Sequence, residues 1–447
     1  MSGAPLDIGV IGSGISGLAA AWLLGKRHRV TLYEYRQRPG GHSNTVGVTC
    51  SDGEMAIDTG FIVYNEATYP NLTALFEVLA VPTQASDMSF SVSLDDGRME
   101  YSGGSLAGLC AQKRNLFRPR FWTMLRDLER FYREAPRDLP QLDPETTLGD
   151  YLVARGYGDA FLHDHLLPMA AAIWSAPTKT MLEHSAAAFI RFFDNHGLLR
   201  LSGQPQWRSV AGGSRTYVER MTRDLGDGLR LGAKIKGVRS SGGDVVVRDG
   251  SGATARHDHV VIATHADQAL SLLDDATHSE RALLGAFGYS RNLAVLHSDP
   301  SFMPKRRAAW SAWNFRGRRA EPASPAPTVV TYWMNALQRL PGKTPFFVTL
   351  NPQTRPGTVW HEEIYKHPVF DVGAAAARKA LWSLQGKRRL WFCGAYFGAG
   401  FHEDGLQSAL AVAEALGSVR RPWNVPNESS RIVLVPAAAP RSMEHAA

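Results

Sequence analysis

Apolar residues open the chain as an unbroken run at 8–11 and then change period. Ile15, Leu18, Ala19, Trp22 and Leu23 recur at i, i+3, i+4, i+7 and i+8, which predicts a helix with one buried face. A hairpin is expected next, over 46–49 and 55–58 with its turn at Asp52-Gly53. From about residue 71 the pattern turns helical. Leu72, Leu75, Phe76 and Leu79 share one face, residues 121–133 are strongly amphipathic, and an apolar run (168–177) and an aromatic run (188–193) follow. Strands are predicted over 229–239, 245–248 and 257–264. Residues 286–384 are β-rich and aromatic, interrupted by a Pro-rich basic loop at 316–328 that reads as mobile surface. A buried strand at 390–393 then leads through a glycine-aromatic loop to a helix expected to start near Gly405. No internal repeat is present.

The first strand and helix enclose Gly12-Ser13-Gly14-Ile15-Ser16-Gly17, and an acid, Glu34, lies 22 positions after Gly12. Gly12 permits a tight turn, Gly14 lets backbone approach a pyrophosphate, and Gly17 lets helix and strand pack closely. The helix N-terminus offers N–H groups to phosphate, and the acid suits a ribose hydroxyl. This is a dinucleotide site. Arg36, Arg38 and Gly40-Gly41 follow directly, a second glycine approach loop that NAD alone would not need. Arg36 suits a 2′-phosphate, but Glu34 would repel one, so FAD is the expected cofactor.

The run Glu34-Tyr35-Arg36-Gln37-Arg38-Pro39-Gly40-Gly41-His42 resembles the signature of the flavin-containing amine oxidase and phytoene desaturase superfamily, with His42 where that signature ends in arginine. The resemblance implies an α/β fold. A Rossmann-like FAD-binding domain (1–70, 205–285 and 385–420) is interleaved with a mixed helical and β-sheet substrate domain (71–204 and 286–384), and 421–447 forms a tail. It also implies further FAD contacts at Ser43, Thr59, Gly60 and Phe61 after Asp58, and at Val238, Ala263 and Thr264. A second glycine pair, Gly212-Gly213, precedes a helix. Near the C-terminus Gly394, Asp404, Gly405 and Leu406 are implied contacts, the last two through backbone N–H groups facing the flavin's pyrimidine edge. Ala395 stands where the superfamily usually has an acid. His402 and Glu403 are the candidate catalytic residues. His402 suits a general base or a loop-closing polar residue, and Asp404 a cofactor contact or an ordinary N-cap. The lysine that amine oxidases use beside the flavin is not identifiable; Lys305 lies in a basic, surface-like run. The motifs AAIWSAP, TYWMNALQ, VTLNP, YKHPVF and GFHEDGLQSAL resemble a bacterial subgroup whose members accompany cyclopropane-fatty-acid-synthase-like methyltransferases.

Composition narrows the reading further. At 447 residues with 44% hydrophobic content the chain can fill two cores. Cys50, Cys110 and Cys393, without metal or CxxC spacing, argue for a reducing compartment and no metal site, and Cys393 reads as a core residue rather than a flavin link. The first strand begins within a few residues of Met1, which predicts no signal peptide. The apolar stretch 8–25 is explained by its glycine fingerprint rather than by a membrane span. A net charge of +7 gathers in clusters at 113–120, 305–307, 316–319 and 387–389. These are either solvated surface or attraction to an anionic membrane or acidic substrate, and no nucleic-acid motif accompanies them. The expectation is a cytoplasmic FAD-dependent oxidoreductase, peripheral to the inner membrane face, that takes hydride from a fatty acyl chain. A true amine oxidase, or a flavin-bearing accessory subunit of a methyltransferase, are the alternatives.

Overall fold

The computed structural model describes residues 4–143, 145–174, 181–200, 203–319 and 329–434. The chain divides into two compact units, each assembled from separated stretches. The first comprises Met1–Pro39, Asp224–Phe287 and Gly373–Ala447, the second Gly40–Arg223 and Gly288–Val372. Residues 40–70 and 205–223, grouped by the sequence pattern with the nucleotide segments, pack in the second unit.

In the first unit β1 (Asp7–Ile11) lies at the centre of a five-stranded parallel sheet. β2 (Arg29–Tyr33) and Leu229–Arg230 lie on one side of it, His259–Ile262 and Leu390–Phe392 on the other. The helix α1 (Ile15–Leu24) buries all ten of its residues, not one face as its periodicity suggested. The helix His402–Gly417 packs along it, and Trp22 stacks on Trp423 with ring centroids 6.0 Å apart. A helix apolar all round must be covered all round. The predicted strand 229–239 breaks at Gly232, whose φ of +67° turns the chain. Its first part joins the parallel sheet. Ile235–Ser241 instead pairs with Asp244–Asp249 and Thr254–His257 in a small antiparallel sheet.

The second unit is built on a seven-stranded sheet in the order Val359–Val369, Gly288–His297, Phe347–Leu350, Val329–Trp333, Trp313–Gly317, Phe90–Leu94, Met99–Ser102. All its pairs are antiparallel except Trp313–Gly317 with Phe90–Leu94. The strands at 83–102 fall where a helical pattern was expected. Their alternation (Phe90-Ser91-Val92-Ser93-Leu94) is a strand signal, although both faces are buried. The hairpin forms as Thr45–Cys50 and Gly53–Asp58, and the helix Pro119–Asp138 buries Phe121, Met124, Phe131 and Ala135 on one stripe. Residues 175–177 of the predicted apolar run and 320–328 of the predicted loop lie outside the described residues. Among the described residues no helix is long and apolar enough to cross a membrane.

Candidate cofactor-binding site

In the first unit the glycine loop is drawn tight between β1 and α1. The Gly12 N–H donates to the Tyr33 carbonyl at 2.8 Å. Gly12 has φ +97°, and a Cβ there would meet the Ala263 carbonyl at 2.9 Å, so only glycine fits where the loop presses on residues 263–264. A Cβ at Gly17 would overlap the Gly12 carbonyl. At Gly14 it would meet nothing within 4 Å, so the loop's outer side is open where a pyrophosphate would approach. Glu34 is buried and organises this loop. Its Oε2 accepts the Ser13 N–H (3.0 Å) and hydroxyl (2.5 Å), while Oε1 accepts the Arg36 N–H (2.8 Å). The Gly232 turn closes beside it, with Gly232 and Ala233 N–H groups donating to the Arg36 and Glu34 carbonyls at 2.8 Å. Val238 and Ala263 are buried, at the small sheet and at the end of His259–Ile262 respectively.

A second helix start meets the first. The Ser16 hydroxyl donates to the Gly405 carbonyl at 3.0 Å, and a Cβ at Gly405 would meet that hydroxyl at 2.8 Å. Two positive helix ends therefore converge on one region. The helix begins at His402, three residues before the expected position. The reason is Asp404, whose Oδ2 accepts the Ala399 and Phe401 N–H groups at 3.0 and 2.8 Å. Asp404 is thus an N-terminal cap, and Arg431 faces its other oxygen at 3.3 Å. The Gly405 N–H is bonded within the helix to the Phe401 carbonyl at 3.1 Å. Glu403 is fully buried and accepts from Gln407 at 2.9 Å; His402 is partly exposed; Leu406 is core. Gly394 is held at both N–H and C=O by the Ser408 hydroxyl (3.0 and 3.1 Å). Cys393 is buried, and burial pushes its thiol well up, as a core residue requires.

Within the second unit the expected contacts form two adjoining segments. Gly40 and Gly41 have φ +110° and +57°, and the Phe61 N–H donates to the His42 carbonyl at 2.8 Å. Ser43 bonds the Tyr217 hydroxyl. Asp58 holds the start of the helix Arg215–Thr222, accepting the Ser214 N–H (2.9 Å), the Ser214 hydroxyl (2.7 Å) and the Thr45 hydroxyl (2.6 Å). Burial nonetheless pushes its carboxyl up to about 6. Gly60 is packed against His42 and Tyr365.

A polar network here was not anticipated. Thr59 and Asn44 bond the Tyr365 hydroxyl at 2.8 and 3.0 Å, and the His42 ring lies 5.0 Å from Tyr365 and 5.8 Å from His367. The protonation of His367 follows by donor counting. Asn351 Oδ1 accepts the Leu293 N–H, so its amide donates to Asn292 Oδ1 (2.8 Å). The Asn292 amide must then donate to His367 Nδ1 (3.0 Å), which leaves a neutral ring with its proton on Nε2. Burial, with the adjacent His42, lowers His367 to about 3. Tyr365 and His367 are two apart in the YKHPVF motif, a same-face spacing that could have marked them.

The model of the flavin-containing amine oxidoreductases matches residues 15–302. The chain belongs to that family. FAD is accordingly its cofactor, and the open Gly14 edge, the Glu34 anchor and the paired helix starts fit FAD's pyrophosphate and ribose. The flavin-containing amine oxidase A of Equus caballus is 25% identical over 275 residues, 58% of this chain and 48% of that protein; the match thus spans about half the length of that relative. A putrescine oxidase redesigned in its cofactor binding superposes with TM-score 0.66 at 15% identity, covering 92% of this chain and 98% of that one. A CLA-producing fatty acid isomerase from P. acnes superposes at 0.62 with 14% identity, covering 93% of this chain and 100% of that one. These likenesses place the fold, an α/β FAD-binding architecture of the amine oxidase type.

Proposed function

We propose that this family member is an FAD-dependent oxidoreductase acting on an apolar chain. It would remove hydride from a C–H bond of a fatty acyl group or related lipid, with a proton leaving the neighbouring carbon. Bound FAD supplies the two-electron acceptor. Glu34 and Ser13 would hold the ribose end, and the α1 and His402–Gly417 N-termini would favour its negative charge.

The observation that carries the apolar reading is the fate of acids buried in the second unit. Asp58 is held by Thr45 and Ser214. Glu100 takes Ser93, the Lys305 and Arg306 N–H groups and the Arg306 guanidinium; Asp164 takes Arg120 and Arg319; Asp127 takes the Gly158 N–H beside Arg126. A substrate ammonium would find each of them already bonded to the protein, with only Asp127 Oδ1 lacking a hydrogen bond and Arg126 3.6 Å from it, whereas an alkyl chain needs none. No described lysine is buried either, which weighs against the amine-oxidase arrangement. The fatty acid isomerase among the structural neighbours is compatible with this reading, and the putrescine oxidase favours the amine-oxidase alternative.

The test is anaerobic mixing of flavin-loaded protein with acyl lipids and with mono- and polyamines while flavin absorbance is followed. Lipids are expected to bleach it faster. Bleaching by amines alone would establish an amine oxidase. A flavin silent to both, in a protein that co-purifies tightly with a methyltransferase, would establish an accessory subunit.

A further inference from the structure

Of the thirteen large hydrophobic side chains exposed among the described residues, four fall within 106–122: Leu106 (82% exposed), Phe117 (86%), Trp122 (54%) and Leu116 (36%). The surrounding stretch 103–126 carries Lys113, Arg114, Arg118, Arg120 and Arg126 and not one acid. The apolar tips are held outward by anchored backbone. Gly108 sits so close to Ser102 that a Cβ would meet its side chain at 2.9 Å, which seats the short helix Leu106–Leu109. The Asn115 amide, buried, donates to the Glu100 carbonyl at 3.0 Å and seats the turn Lys113–Phe117. The Trp122 indole N–H donates to the Leu116 carbonyl at 2.8 Å, so this ring can leave water without stranding a donor.

The charges divide into two kinds. Arg120 is spent on the buried Asp164 at 2.7 Å, and Arg319 on Asp95 and Asp164. Arg114 and Arg118 bond only neutral acceptors: both reach the Arg98 carbonyl, Arg114 also the Gly97 carbonyl, and Arg118 also Asn115 Oδ1. Their positive charge is therefore uncancelled, and partial burial with the nearby Arg114 and Arg319 lowers Arg118 from its ordinary value. The exposed acids nearest in sequence are Glu129 on one side, which is paired with Arg133 at 2.8 Å, and Asp96 on the other. Aromatic and leucine tips ringed by uncancelled cations match the boundary between lipid headgroups and acyl chains, where apolar insertion and anionic phosphates act together. A nucleic acid would use the charge but leave the tips in water.

We propose that residues 106–122 dock this protein on an anionic lipid membrane. Leu106, Leu116, Phe117 and Trp122 enter the acyl boundary, and Lys113, Arg114 and Arg118 meet the phosphates. The surface is independent of which bond the enzyme oxidises.

The experiment is co-sedimentation of flavin-loaded full-length protein with vesicles of equimolar phosphatidylcholine and phosphatidylglycerol, against phosphatidylcholine alone. Binding is expected to the anionic vesicles and to fade as salt rises. At roughly fivefold per basic residue, Lys113→Glu with Arg118→Glu is expected to lower partitioning more than tenfold. Phe117→Ser, a change at a side chain already in water, is expected to weaken binding while leaving flavin absorbance and melting temperature as they were. Lys234→Glu with Lys236→Glu, the same change of net charge at exposed sites of the other unit, is expected to bind as the wild type does. Four results would overturn the proposal: equal binding to both vesicle types, binding to neither, wild-type binding by Phe117→Ser, or an equal loss in the Lys234/Lys236 control. A vesicle-free dimer that Phe117→Ser abolishes would make the patch a contact between copies instead.

Discussion

Glu34 is a carboxylate that organises the loop. Three of its lone-pair positions tie in Ser13 and Arg36, which leaves one that a ribose hydroxyl would use. Glu34→Ala is expected to weaken FAD binding by about 1.5–3 kcal/mol, the scale of a charge-assisted hydrogen bond, while the fold persists. Fluorescence titration of the apoprotein measures it, and unchanged affinity would confine Glu34 to shaping the loop. Spacing from Gly12 was enough to find this residue. Its lock on Ser13 was not legible, because a hydroxyl's partner depends on where the chain returns. Asp404 shows the converse: in sequence it suited either a cofactor contact or a cap, and its bonds to the Ala399 and Phe401 amides, which show it capping, depend on how the loop before it folds.

At the scale of elements, the surprise is the segment after the last helix. Read as a tail, its described part is clasped. Arg421 is nearly fully buried; its N–H and guanidinium bond Glu414 at 2.8–3.1 Å and Nη1 bonds the Glu428 carbonyl at 3.0 Å. Burial pushes the Glu414 carboxyl up, but the Arg421 bonds outweigh it and hold the group below its ordinary value. Further on, the Arg431 N–H donates to Gln407 at 3.0 Å. The segment thereby covers the helix that carries His402 and Glu403. Arg421→Ala leaves Glu414 without its buried partner and is expected to cost about 3 kcal/mol, read as a lower urea midpoint together with protease cleavage beyond residue 421. An unchanged midpoint and intact tail would show that the clasp holds nothing.

For the molecule as a whole, acid is the condition to which it should respond. Burial holds His165 down to about 4, His297 to about 4 against the pull of Asp299, and His367 to about 3. Each binds its proton more readily unfolded, so its contribution is complete above pH 6.5 and is lost as pH falls from there toward 4, at about 1.4 kcal/mol per pH unit per group. Asp58 has the opposite sign. Raised from 3.8 to about 6, it favours the fold in acid and loses that contribution as pH rises through 6. Three histidines outweigh one aspartate, and all four groups belong to the second unit. The urea midpoint is expected to fall between pH 6.5 and about 4.5, less steeply in His297→Gln; a flat profile would contradict the burial argument.

The glycine fingerprint, Glu34, the Asp52-Gly53 hairpin and the periodicity of the long helices were legible in the sequence. Each is a local matter: steric permission, turn chemistry, or the spacing of apolar side chains along one element. Where the chain changes partners was not local. Gly232 sends Leu229–Arg230 to one sheet and Ile235–Ser241 to another, and α1 is buried on every side because a helix nearly four hundred residues away lies against it. The Asn351–Asn292–His367 relay, the Arg421 clasp and the division of arginines into spent and uncancelled charges likewise needed the tertiary structure. Burial, protonation and ion pairing are properties of surroundings, and residues distant in sequence supply them.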